Sequence, residues 1–367
     1  MIAQLLRLMD DSDLDGVSAL VKNEITNGGQ AWEVHLGLFP LVQRALNPPF
    51  INPHLPKVYR ICREFLPYLS EDDIPALVRL EIMEYTRRPK SEELPKSAVR
   101  NSSVSFPEIE AAIRGGDRER VTPFLSAFLE QQGEAELSRN LLLLGSGYMG
   151  HSLGHSVSCT AFILLEMMER SDLDPWPALA ALADYFCKGQ FHTTPPLNTA
   201  AGLPTEESLD HYLLIATSGS GIVNLHHTIA RYAIERVRHL LSQAEYAHMI
   251  ARWIEFIGTK SVETRLSISP EETVTDYDAF YQLFSKQTEM PVLSCLAGML
   301  SSAKGRQRIG RYLVKGVCDL YQGDYDPHFL TGLGSALWVV SQYWKQEPIA
   351  MNALRQYLNY FFTQRIY

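Results

Sequence analysis

The chain has 367 residues, 46% hydrophobic and 20% charged, with a formal net charge of −9. That apolar content can bury one large core or two coupled ones. The acidic balance and the lack of a Lys/Arg block exclude a phosphate-tracking surface, so no nucleic-acid partner is expected; Arg306-Gln307-Arg308 reads as a solvated helix face. Five cysteines (Cys62, Cys159, Cys187, Cys295, Cys318) lie far apart with no Cys-x-x-Cys pair. They read as buried free thiols of a reducing compartment rather than a zinc or thioredoxin-type site. Met1 to Met9 is too short for a signal peptide, and no apolar run approaches the roughly 20 residues of a membrane span. The expectation is a soluble, cytoplasmic protein that does not engage a membrane.

In chain order, the first chemistry-bearing segment is Asn52-Pro53-His54-Leu55-Pro56, where a helix is expected to start. Taken alone, His54 reads as structural. Ser70 with Asp73 signals the next helix, whose Leu77, Leu80, Ile82 and Met83 recur at helical spacing. Residues 89–107, rich in Pro, Ser, Lys and Glu, read as a linker or surface loop. It divides an N-terminal helical unit, 1–88, from a main helical body, 108–367, with the two expected to pack together. Thr122-Pro123 suits an N-cap followed by proline at the first helical position, ahead of Phe124, Leu125, Phe128 and Leu129.

His151-Ser152-Leu153-Gly154-His155 follows the flexible Gly145–Gly150 stretch and precedes the apolar Ala161–Leu165. Four apart on one helix, His151 and His155 would stand side by side, a spacing that chelates a metal ion. The alternative is two core histidines bonded to carbonyls. A second irregular stretch, Gly189–Pro204, carries His192 and has the length of a lid or of a mere crossing. Ser218-Gly219-Ser220-Gly221 lacks the Lys-Ser/Thr and the preceding strand of a phosphate loop, and reads as a helix start.

The helix that follows carries Ile222, Leu225, Ile229, Ala233, Val237 and Leu240, with His226 on its apolar face. A buried imidazole there needs a partner, whether protein, water, substrate or metal. His227 lies in a row with Arg231 and Arg238 and reads as solvated. His239 and His248 read as surface residues of an amphipathic helix pair; His35, His192 and His211 lack a site-like setting. His328 follows the acidic Gly323–Pro327 turn and opens an apolar helix with Phe329, Leu333, Ala336, Leu337 and Val340; Gly332 and Ser335 leave room for a pocket floor. No alternating strand pattern, fixed-period repeat, Gly-x-Ser-x-Gly elbow or dinucleotide fingerprint appears. The predicted fold is all-α, multi-helix and globular, with a pocket between helices.

In order, these segments resemble the questin oxidase-like family over about residues 50–340. The resemblance rests on Ile113-Arg114-Gly115-Gly116-Asp117-Arg118 with Phe124-Leu125 and Gly133, on Leu141–Gly147 before His151-Ser-Leu-Gly-His155, and on Leu225-His226-His227-Thr228-Ile229 with Ala233. Asn52-Pro53-His54-Leu55-Pro56 is similar to the family's Asn-His-Leu-Pro segment, and Asp326-Pro327-His328 to its Asp-x-His helix start. Two departures stand out: Thr331 replaces the lysine that commonly follows the C-terminal histidine by three residues, and Ser156-Val157-Ser158-Cys159 replaces an aromatic-glycine tail.

The resemblance implies an all-α oxidoreductase, a mono- or dioxygenase that opens a ring of a polycyclic aromatic polyketide with oxygen in a Baeyer–Villiger-like outcome. NADPH is associated with that activity by resemblance only. Clustered neutral imidazoles suit iron, zinc or copper, and oxygen chemistry favours non-haem iron. The candidate metal ligands are His54, His151, His155, His226 and His328, with His226 and His155 as candidate catalytic groups. The expected partners are a small aromatic substrate and O2. Two alternatives stay open: the histidines as metal-free general bases toward a phenolic substrate, or a non-enzymatic helical protein that binds a hydrophobic ligand or a partner.

Overall fold

The computed structural model describes residues 2–11, 13, 15–17, 19–20, 23, 31–96, 103–197, 204–258, 274, 276–323 and 326–365. Residues 97–102 of the expected linker, 198–203 of the second irregular stretch and 324–325 of the acidic turn lie outside the described residues. Among the described residues there are 18 α-helices and no strand, so the all-α expectation holds. None of these helices is long and apolar enough to cross a membrane.

The helices are α1 (Ile2–Asp10), α2 (Ala31–Gly37), α3 (Phe39–Val42), α4 (His54–Phe65), α5 (Ile74–Arg87), α6 (Phe106–Arg114), α7 (Arg118–Gln132), α8 (Glu134–Ser146) and α9 (His155–Glu169). They continue with α10 (Trp176–Gly189), α11 (Glu206–Ser218), α12 (Gly221–Arg236), α13 (Gln243–Ile257), α14 (Tyr277–Phe284), α15 (Glu289–Leu300), α16 (Ala303–Leu320), α17 (His328–Tyr343) and α18 (Glu347–Arg365). Local chemistry sets many of the starts. Ser105 with Glu108 and Ser242 with Glu245 form capping boxes at α6 and α13. At α7 the expected boundary moves: Asp117 caps the helix by accepting from Arg120 N, so Pro123 sits inside it rather than at its first position. An earlier cap with good geometry overrides the Thr122-Pro123 signal.

Four helices form the frame of the molecule. α4 packs on α9, α9 on α12, α12 on α17, and α17 back on α4. They run in the same direction, as matching depths show. About two turns past their histidines, Phe162 of α9 meets Tyr232 of α12 at 5.2 Å between ring centroids, and Tyr232 stacks on Trp338, nearly three turns past His328 in α17, at 5.9 Å. Ile61 of α4 presses against Gly334 of α17, where a Cβ would come within 2.6 Å of Ile61 Cγ2. At the α4–α9 seam, Arg60 and Arg63 bond the fully buried Glu166. A charge buried there needs those partners, because an unpaired carboxylate in the core costs several kcal/mol.

The other helices close round this frame. One large core is built on it, and a smaller one joins α1, α2 and α3 to the outward faces of α4 and α5 through Leu55, Tyr59, Val78, Ile82 and Tyr85. α4 therefore serves both cores. At the start of the 89–107 stretch Lys90 pairs with Ala45 in an isolated bridge, and its Nζ donates to the carbonyls of Met9 and Thr86. Phe162 is fully buried at the α9–α12 contact. Phe162→Ala is expected to cost about 3–5 kcal/mol by cavity formation, read as a lower urea midpoint with an unchanged m-value; a loss under about 1 kcal/mol would show that the frame does not depend on this contact.

Candidate metal centre

Parallel packing puts the N-terminal ends of α4, α9, α12 and α17 at one end of the frame: His54, His155 and His328 open their helices there, and His226 lies in the second turn of α12. The geometry follows the helix order. His54 Nε2 lies 2.7 Å from His155 Nε2, His155 Nε2 lies 3.1 Å from His226 Nε2, and His226 Nε2 lies 3.1 Å from His328 Nε2. His54, His155 and His328 offer nitrogens all within 4.8 Å of one another. All four side chains are buried.

The opposite nitrogens decide what this cluster is. His155 Nδ1 donates to Ser152 O at 2.7 Å, His226 Nδ1 to Ile222 O at 2.7 Å, and His328 Nδ1 to Asp326 Oδ1 at 2.6 Å. A carbonyl or carboxylate can only accept, so each Nδ1 carries the hydrogen and each neutral Nε2 presents a lone pair. The His155–His226 and His226–His328 approaches are then lone pair against lone pair. No hydrogen bond forms between two acceptors; a shared cation resolves the conflict. At His54, His155 and His226 a proton is disfavoured, because burial first, and then the nearby Lys57 and neighbouring imidazoles, hold these groups well below the ordinary histidine range. Adjacent nitrogens bound to one ion at about 2.1 Å stand roughly 3.0–3.4 Å apart, and a hydrogen-bonded far nitrogen is the usual support of a metal-binding imidazole. Among the described residues His54, His155 and His328 form the mutually close set that fits a metal ion, and His226 borders it through His155 and His328.

Local sequence explains the placement. Gly154 precedes α9 with φ 75°, and a Cβ there would fall 3.0 Å from Ala230 Cβ and 3.5 Å from His226 O, so only glycine lets α9 start this close to α12. Asp326 caps α17 by accepting from His328 N at 2.9 Å, while the same oxygen takes His328 Nδ1–H and Tyr360 donates to the other at 2.5 Å. Burial alone would raise the Asp326 carboxyl; the bonds from His328 and Tyr360 outweigh it and hold the group low. The histidines floor an open cavity of about 860 Å³, within the usual ligand range. Its walls include Phe50, Tyr148, Tyr185, Phe191 and Tyr360, and Tyr148 stacks on Phe191 at 4.5 Å.

Of the five candidate ligands, the structure brings His54, His155, His226 and His328 together. His151 is not brought in. α9 begins at His155, so the expected one-helix pair does not exist; His151 sits in the preceding turn, exposed at the cavity wall. His227 is another correction: it is buried edge-on against Phe256 at 4.7 Å between centroids, because α13 covers the outer side of α12. His248 is likewise buried, with its Nε2 3.2 Å from Ser146 Oγ, whereas His239 is exposed as expected. His192 stays outside the cluster, its Nδ1 bonded to Gln190 O. Sequence reasoning gave no role to Asp326, Tyr360 or Lys57. Asp326 was detectable, since an acid two residues before a helix-opening histidine can bond both its N–H groups.

The chain matches no protein-family model, no curated protein and no solved structure.

The depressed histidines have a thermodynamic consequence. They are neutral when folded but titrate near 6.5 when unfolded. Below that pH the unfolded chain binds more protons, so the stability they contribute is complete above about pH 6.5 and is lost as pH falls through their lowered values. Metal-free protein should lose stability from pH 7 to 5, each histidine adding up to about 1.4 kcal/mol per pH unit to the slope. Urea titrations of wild type and His226→Gln at several pH values test this; identical slopes would contradict it.

Proposed function

We propose that the protein is an oxygen-dependent oxidoreductase that oxidises or cleaves a ring of a polycyclic aromatic polyketide at a four-histidine, non-haem metal site, and that iron is the metal. The observation that carries the reading is the pair of lone-pair contacts at 3.1 Å, which a buried cation relieves. The donor set of neutral imidazoles suits iron among other transition metals. Oxygen chemistry selects iron, and the resemblance to the questin oxidase-like family supplies the aromatic polyketide.

Within this reading, His54, His155, His226 and His328 hold the ion, with His155 and His226 at the centre of the set because each touches two others. Iron, when bound, supplies a redox-active centre for oxygen. The chain's own residues do the rest. Ser152 O, Ile222 O and Asp326 fix which imidazole nitrogen faces the site. Aromatic walls supply flat apolar faces on which fused rings stack and from which water is excluded. A second reading uses the same neutral imidazoles as bases toward a phenolic proton; the convergence of their lone pairs on one another favours the metal, since a base presents its lone pair to substrate. The all-α fold has no strand–turn–helix phosphate cradle among its described residues, so NADPH stays outside the proposal.

Elemental analysis of the full chain, purified without chelator and exposed anaerobically to Fe(II), should find about one ion per chain, and His155→Ala should fall below about a tenth of that. Oxygen uptake with a hydroxyanthraquinone should stop on chelation and return on iron addition. A wild-type chain that holds no transition metal, or turnover that survives complete chelation, would overturn the metal reading.

A further inference from the structure

The histidine quartet has two faces. One floors the cavity; the other looks into the interior of the α4–α9–α12–α17 frame. A helix starting at His54, His155 or His328 places its fourth residue about 4.5 Å further along the axis on nearly the same side. Those residues are Lys57, Ser158 and Thr331. In the middle of a helix bundle such positions are ordinarily apolar. Here they carry an amine and two hydroxyls, all fully buried.

Their polar atoms are left over. Lys57 Nζ, Ser158 Oγ and Thr331 Oγ1 have no hydrogen-bond partner, although Ser158 Oγ lies against the weakly polar Cys159 thiol. Each orphaned buried group costs about 1–3 kcal/mol, and in folded proteins such groups meet a partner, a water or an ion. Burial pushes the Lys57 amine down from its ordinary value, while Cys159 and the Asp326 carboxylate beside it act in the opposite sense. Lys57 thus lies between α9 and the start of α17, and its charge acts on His54, His155 and His226.

Charge completes the case. The imidazoles bring no negative charge to a divalent ion; Asp326 offsets one of its two units, and a protonated Lys57 adds one back. Four helix N-termini add positive potential at the same place. Negative charge is therefore missing near Lys57, Ser158 and Thr331, each buried three residues after a histidine of the quartet. Resting on the metal reading, we propose that the inner face of the histidine quartet binds a small monoanion, held by Lys57, Ser158 and Thr331 from below. Its class is that of a halide or azide: a few atoms, acceptor-only, too small to need the outer cavity.

The test uses full-length protein loaded with Co(II), whose visible spectrum reports its ligands, titrated with azide. Wild type is expected to show a saturable spectral change. Lys57→Met, which keeps the length of the side chain and removes the amine, should weaken azide binding at least about tenfold, the loss of roughly one charge-assisted hydrogen bond. Thr331→Val, which keeps the shape and removes the hydroxyl, should weaken it about threefold, the loss of a neutral bond. Metal content should stay at the wild-type level in both. Azide affinity within about twofold of wild type in both variants, at full metal content, would overturn the inference while leaving the metal reading intact. A wild-type chain that takes up no Co(II) would instead remove the metal reading, and this inference with it.

Discussion

The structure turns on three hydrogen bonds that lie behind the site rather than in it. Ser152 O, Ile222 O and Asp326 each take an Nδ1–H, and that choice forces three Nε2 lone pairs toward one point. Rotating any imidazole away would leave both a buried acceptor and a buried ring nitrogen without partners, at about 1–3 kcal/mol for each group. The protein therefore holds an unfavourable arrangement of like dipoles rigidly in place. Such preorganisation is what a tight cation site requires, because the work of assembling the ligands is done on folding rather than on binding.

Parallel packing of α4, α9, α12 and α17 is what lets four separate segments meet at one level. Parallel neighbours cannot be joined by tight turns, so the chain has to return the length of the frame between consecutive members. The intervening helices do this, and they form the outer shell that buries His227 and His248. The same parallel order aligns four helix dipoles with their positive ends at the histidines. That field opposes added positive charge at the site, from a proton or from a cation. Asp326, half-buried and held low by its bonds from His328 and Tyr360, is the acidic group placed against this field.

How much of this was legible before the fold was known depends on the residue. His226 stood out because an imidazole among Ile222, Leu225 and Ile229 has no business there without a partner. His328 stood out by opening an apolar helix after an acidic turn. His151 misled, since spacing of four identifies a shared face only where both residues are helical, and Gly154 in the left-handed region starts the helix after His151. His54 looked structural because nothing near it in sequence is metal-like; its partners are 101 residues away and more. Lys57 was invisible for the opposite reason. A lysine in a helix reads as a solvated side chain, and only the packing of α4 between two cores and two neighbours buries it.

Helical periodicity, capping chemistry and an apolar content of 46% determine that this chain is a helical globule, and they place a histidine at or near the start of several of its helices. Those are local properties, carried by spacings of three and four residues and by single caps. Which histidines share a site is not local. It depends on the direction in which each helix packs and on the depth at which it enters the frame, and both are set by contacts such as Ile61 on Gly334 and Phe162 on Tyr232 between segments distant in sequence. The chemistry of the donors was written in the chain; their convergence, the exclusion of His151 and the buried amine beneath them were decided by tertiary packing.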